Sequence, residues 1–250
     1  MAIASLSGES DAAWAKQVAP YIGCAFLGGI AIDETSRMAA QDLVARERTE
    51  FLPPDPVTFI DDQFRLLSTV DIRPAINVRS TSLEPIQDVA AICYEHNAIL
   101  EINAHCRQDE MCQVGAGQSL LQRPDALCEQ VSVAAEADIT VSVKVRTEVP
   151  GVSLPSLCAD LIESGASILH VDAMDSESVI ADLPQTAWII ANNGVRDRKT
   201  TVEYLAYGAD AVSIGRPSDR PIIVERVRTA VMDWFREQKH PIQTEQQADA

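Results

Sequence analysis

What most restricts the fold of this chain is a regular alternation of short apolar runs with amphipathic segments. The runs are "AIASLSG" (2–8), "GCAFLGGI" (23–30), "RPAINVR" (73–79), "AILEINAH" (98–105), "ITVSVKVR" (139–146), "SILHVDA" (167–173), "AWIIANNG" (187–194) and "AVSIGRP" (211–217). Each has strand length and is bounded by turn or polar residues. The segments between them carry helix start and stop signals. Asp33 opens "DETSRMAAQDLVARERTEF", Pro124 and Asp125 open "PDALCEQVSVAAEA", and Gly165 and Gly208 stand just before the sixth and eighth runs. Eight strands alternating with helices in 250 residues predict a (β/α)8 TIM barrel, a single α/β domain over 1–239, with an open doubly wound sheet as the alternative. "RPIIVERVRTAVMDWFREQK" is the expected last helix, residues 52–68 an extra helix on the second crossover, and 240–250, with His240, a flexible polar tail.

Composition narrows the function classes. With 46% hydrophobic and only 5% aromatic residues, the core must be mostly Ala, Val, Ile and Leu. A net charge of -17 argues against a broad basic face for nucleic acid. Only Lys16, Lys144, Lys199 and Lys239 are lysines, and an acid-rich, Lys-poor surface suits concentrated salt, where the Debye length falls to ~3 Å at 1 M. No run approaches the ~18 apolar residues of a membrane span and no secretory leader is evident, so a soluble cytoplasmic protein is expected. Six cysteines without a C-x-x-C pair do not form a disulfide framework, and Cys93, Cys128 and Cys158 fall on apolar helix faces.

In a barrel the C-terminal strand ends meet at one mouth, where active sites are built. Those ends are polar here: Asn77 and Arg79, Asn103 to Cys106, Lys144 and Arg146, His170 and Asp172, Asn192 and Asn193, and Arg216. Lys144 and Arg146 share one face of their strand. An inward Lys can pair with a rim acid, form a Schiff base or meet an electron-rich ligand. Gly194, Gly215 and Arg216, in neighbouring loops, are tight turns or a phosphate site. A phosphate there, with Asn77 and Lys144 on the polar edge of an isoalloxazine ring, would suit flavin mononucleotide (FMN), the flavin carrying the redox chemistry. His105 and Arg107 flank the Cys106 thiol and could hold its thiolate or contact a substrate phosphate. Grouping His105, Cys106 and Cys112 as a metal site lacks a tetrahedral ligand spacing, so no metal is expected. Gly28 and Gly29 are a turn or leave room for a ring, His96 belongs on a helix surface, and "ARERTE" (45–50) reads as a solvated helical face.

The blocks "LEINAHCRQDEMCQVGAGQSLL", "VSVKVR", "LHVDA", "IIANNG" and "GADAVSIGRP" resemble the dihydrouridine synthase family of FMN-dependent barrels, in order and spacing from about residue 73 to 221. The chain is most similar to a short archaeal branch without the family's C-terminal tRNA-binding helical domain. The resemblance implies Cys106 as the catalytic acid. It implies that Asn77, Lys144, His170, Asn192, Gly194, Gly215 and Arg216 bind FMN. Asn103, His105, Arg107 and Arg146 then fall on the substrate side, with Ala116 and Gly117 as a small pair. Reduced FMN would deliver hydride to C6 of a uracil ring in tRNA while Cys106 protonates C5, with NADPH or NADH as reductant. The chain departs from the family at His105 and Arg107, where the family has Gly and Pro, at "HVDA" in place of an "HGRT" turn, and at "ASLSGES" in place of an "APM" turn. A flavoenzyme acting on a small free pyrimidine, like dihydroorotate dehydrogenases, and a non-catalytic binding barrel are the alternatives.

Overall fold

The computed structural model describes residues 1–239, so the tail assigned to 240–250 and His240 lie outside the described residues. Eight parallel strands close into a barrel in sequence order. They are β1 (Ala2–Ile3), β2 (Cys24–Ala31), β3 (Arg73–Arg79), β4 (Ile99–Asn103), β5 (Thr140–Arg146), β6 (Ile168–Asp172), β7 (Trp188–Asn192) and β8 (Ala211–Ile214). Around them run α1 (Ala12–Val18), α2 (Glu34–Ala45), α3 (Pro56–Leu67), α4 (Glu84–Glu95), α5 (Asp109–Gln113), α6 (Pro124–Ala135), α7 (Leu154–Glu163), α8 (Arg198–Ala206) and α9 (Pro221–Lys239). The second crossover carries both α2 and α3, as the sequence implies. No described helix is long and apolar enough to cross a membrane.

Two expectations change. The first run is a strand only over Ala2–Ile3, because buried Ser10 pins the following residues into a turn. Its hydroxyl accepts from the Leu6 amide at 2.8 Å and donates to the Gly28 carbonyl at 2.8 Å. The sixth crossover holds no α-helix, only a 3-10 turn over Glu177–Asp182. Pro184 forces Leu183 into extended backbone and stops further winding.

Inward and outward strand positions build different cores. Outward residues such as Leu27, Ile76, Leu100, Val143 and Ile189 pack beneath the helices in one large cluster. Inside the barrel, Ala2, Phe26, Ala75, Ile99, Ile168 and Ile190 form a separate apolar plug. One inward step toward the C-terminal ends, the interior turns polar at Asn77, Glu101, Ser142, His170, Asn192 and Ser213, all buried.

The mouth loops are tied down by Asp33, the N-cap of α2. Its carboxylate accepts from the Ser36 amide at 3.0 Å, the Thr81 amide at 2.7 Å, and the Ser36, Ser80 and Thr81 hydroxyls at 2.9 Å each. Burial pushes its pKa up, but these donors outweigh it and hold the carboxyl below its ordinary value. Asp33→Ala removes a cap and takes the acceptor from the half-buried Thr81 amide and hydroxyl, while Ser80 keeps the Ser82 carbonyl. A loss of about 2 kcal/mol or more is expected, read as a fall of several degrees in Tm.

Two local readings are corrected. His96 is not free on a helix surface: its Nε2 lies 2.7 Å from Asp61 Oδ1 and its ring packs on Phe64. "ARERTE" is not all solvated face, since α2 ends at Ala45 and Glu50 turns inward to pair with Arg79.

Candidate active site at the barrel mouth

The polar interior is one continuous hydrogen-bonded chain. Asn103 Oδ1 accepts from the amides of His105 (3.1 Å) and Cys106 (2.9 Å), and Asn103 Nδ2 donates to Asn77 Oδ1 (2.8 Å). Asn77 Nδ2 donates to Glu101 Oε1 at 2.7 Å. The other Glu101 oxygen accepts from Ser142 Oγ at 2.9 Å and lies 2.6 Å from His170 Nδ1. His170 Nε2 is 2.7 Å from Ser213 Oγ, to which Asn192 Nδ2 donates at 2.8 Å. A neutral imidazole protonated on Nδ1 satisfies every partner: it donates to Glu101 and accepts from Ser213, whose oxygen accepts from Asn192. Burial holds His170 below its ordinary pKa. Burial pushes Glu101 the other way, but His170, Lys144 and Asn77 hold its carboxyl down.

Asn77 and His170 were expected on the flavin. The structure places both wholly buried, with their polar atoms already partnered, so they form the floor beneath the mouth. Gly28 and Gly29 leave no room for a ring at this floor, since a Cβ on Gly29 would stand 2.7 Å from Asn77 Oδ1.

Above the floor lie Lys144, Arg146, Asp172 and His105. Pairing of β5 with β6 sets Lys144 beside His170 and Arg146 beside Asp172. Lys144 is only 3% exposed and makes no ion pair within 4.0 Å among the described residues. Burial lowers its pKa, against the pull of Glu101 and Asp172. His105 is 30% exposed as a side chain, with Nε2 2.6 Å from Asp172 Oδ2. Asn193 Nδ2 donates to the other Asp172 oxygen at 2.9 Å. Burial opposes ionisation of Asp172, but His105, Asn193 and Arg146 hold the carboxyl well below its usual range.

Cys106 sits in the loop after β4, partly exposed, packed against an apolar cluster that includes Met111 and Ala116. Its carbonyl accepts from the Gln118 amide at 2.7 Å. Gly117 lets the returning chain pass this close: at φ +62° its added Cβ would stand 2.2 Å from the Cys106 carbonyl oxygen. Gly117→Ala is therefore expected to push the Cys106 loop off its Asn103 anchor. The cost exceeds about 1 kcal/mol in chemical denaturation, and substrate reduction falls more than flavin content does.

On the opposite side of the mouth, Gly194 has φ +70° and open space where a Cβ would go, and Gly215 caps the 3-10 turn Arg216–Asp219. Arg216 and Arg107 are exposed. The start of α8 is not free for an anion, because Asp197 caps it in a reciprocal capping box with Thr200. Among the described residues no group of three or more His, Cys, Asp and Glu side chains could hold a metal ion.

Glu101 received no role from the sequence, although its place two residues before Asn103 on one strand put it on the same inward face. Arg79 and Asp172 were visible as polar strand ends without assigned roles, and Glu50 was read as solvated.

A parallel eight-stranded barrel whose mouth gathers an ammonium, amides, an imidazole and a thiol over a polar floor defines a TIM-barrel enzyme site. The chain belongs to the dihydrouridine synthase (Dus) family, a family of flavin-dependent oxidoreductases, whose profile matches residues 74–249. It is also 26% identical to an uncharacterized protein of Methanocaldococcus jannaschii over 227 residues, 86% of this chain and 87% of the other.

Proposed function

We propose that this protein is an FMN-dependent reductase of the C5–C6 bond of a uracil ring in tRNA, working in the cytoplasm with NADPH or NADH as reductant and Cys106 as general acid. The observation that carries the reading is Lys144, an ammonium withdrawn from water without an ion pair within 4.0 Å among the described residues. Such a group suits the electron-rich pyrimidine edge of a flavin, which gains negative charge on reduction. Gly194, Gly215 and Arg216 would hold the phosphate, with Asn192 beneath them. Asn77 and His170 act from below by fixing Asn103 and Glu101. Asn103, His105, Arg107 and Arg146 face the substrate.

Bound flavin supplies the hydride. The chain's own part is to orient the ring, shield it, and pass a proton from Cys106 Sγ to C5 of the uracil. The S–H bond breaks, a C–H bond forms, and the electron pair stays on sulphur. A small free pyrimidine is the second reading, favoured by the net charge of -17.

Purified protein is expected to carry or take up FMN and show a visible flavin band. Reduced with NADPH, it should raise dihydrouridine in unmodified tRNA. Protein that takes up no FMN overturns both flavin readings and favours the binding barrel. Flavin-loaded protein that reduces free uracil or orotate but not tRNA overturns the tRNA assignment.

A further inference from the structure

Glu101 stands at the centre of the buried polar layer, and strand register explains its reach. Asn77 of β3 pairs with Glu101 of β4, and Glu101 with Ser142 of β5, so three inward side chains lie side by side. The Glu101 side chain is wholly buried, as is that of His170. Its Oε1 takes the Asn77 amide at 2.7 Å, while Oε2 takes the Ser142 hydroxyl at 2.9 Å and meets His170 Nδ1 at 2.6 Å. Burial works against the charge, but His170, Lys144 and Asn77 keep the carboxyl below its ordinary pKa.

An ionised carboxylate can only accept, whereas an amide side chain can be turned to donate or to accept. Glu101 therefore requires Asn77 to present Nδ2 to it, which leaves Asn77 Oδ1 for Asn103. Asn103 must then turn Nδ2 to Asn77 and Oδ1 to the loop, where it takes the amides of His105 and Cys106. The far end obeys the same rule independently, because backbone amides can only donate. The direction of every bond in this arm is thus fixed from both ends. In the other arm Glu101 requires His170 to carry its proton on Nδ1, leaving Nε2 to accept from Ser213.

Stability gives a poor account of a carboxylate at this depth. The layer below fills the same barrel with apolar side chains such as Phe26, Ile99 and Ile168. Apolar groups in place of buried charges often leave a fold as stable or more so. A group that imposes one direction on a hydrogen-bonded chain has a clearer use where a loop must be held in one place, because reactive groups depend on supports beneath them that cannot rearrange.

We infer that Glu101 is a positioning residue of the mouth: through Asn77 and Asn103 it fixes the main chain that carries Cys106, and through its second oxygen it fixes the tautomer of His170. The catalytic consequence rests on Cys106 as proton donor; the two structural effects do not. Asn77→Ala cuts the first arm. Glu101→Gln keeps the shape but offers one acceptor and one donor, so it can serve only one arm, and it remains informative where Asn77→Ala fails to fold. Backbone amides cannot reverse, whereas an imidazole can exchange tautomers. The new carboxamide oxygen should therefore stay with Asn77, and His170 should move its proton to Nε2. Hydrogen exchange of the peptide spanning His105 and Cys106 reads the first arm in the purified full-length protein. Nitrogen NMR of isotopically labelled histidines reads the second, with His170 assigned by the loss of its signals in His170→Gln.

Asn77→Ala should exchange the His105 and Cys106 amides about ten-fold or more faster. Its flavin-loaded form should lose kcat on tRNA by a similar factor, with flavin content little changed. Glu101→Gln should show His170 protonated on Nε2, with loop exchange near the wild-type rate. Wild-type loop exchange in folded Asn77→Ala overturns the hold on Cys106. Wild-type exchange together with an unchanged His170 tautomer in Glu101→Gln overturns the role of Glu101. Retained reduction in Cys106→Ala overturns the proton-donor reading instead, and faster exchange in Asn77→Ala then still supports the hold on the loop.

Discussion

Replacing Cys106 with alanine is expected to cut dihydrouridine formation by about 10²–10⁴-fold, the usual contribution of a positioned general acid. Flavin content and thermal unfolding should stay near wild type. The loop is fixed by main-chain groups that alanine keeps: the His105 and Cys106 amides on Asn103 Oδ1, and the Cys106 carbonyl receiving the Gln118 amide. The side chain packs on a small apolar cluster from only one side, so its truncation costs little. Single turnover of NADPH-reduced protein on unmodified tRNA, beside a melting curve, separates loss of chemistry from loss of structure. Wild-type turnover in this variant would take Cys106 out of the mechanism.

The barrel was legible because strand length and alternation are local signals, and all eight runs became strands in the expected order. What escaped depended on contacts between distant residues. The end of β1 is set by Ser10 bonding to Gly28, and the fate of Glu50 by Ile30, Gly8 and Arg79. No window along the chain contains both partners. The site shows the same division. Lys144, Asn103 and Cys106 stand out in the sequence as candidates because each is an unexpected chemistry at or just after a strand end.

His170 and Asp172 lie on the same strand face, and only their depth in the barrel separates them. One is sealed between Glu101 and Ser213, while the other reaches the mouth to hold His105. Depth follows from how neighbouring strands are staggered, which alternation alone does not report. Glu101 was hidden for a related reason. A carboxylate inside an apolar run looks like an interruption until its three donors are seen around it.

Lys144→Met tests the flavin side with opposite effects on binding and stability. A buried ammonium with a lowered pKa costs the fold something at every pH below its ordinary value, because the unfolded chain binds that proton more tightly. Methionine keeps much of the volume without the charge, although Glu101 then loses a neighbouring cation. The apo variant should therefore melt close to, or slightly above, the wild-type apoprotein. Its affinity for FMN should fall, since a hydrogen bond from a charged donor contributes about 1.5–3 kcal/mol, or roughly 10–100-fold in Kd. Lys144→Arg should not restore binding, because a planar fork does not fit the same enclosed point. Titrating apoprotein with FMN by flavin fluorescence reads the affinity directly. Wild-type affinity in Lys144→Met would remove Lys144 from the cofactor site and leave its burial between Glu101 and Asp172 as a purely electrostatic feature of the barrel.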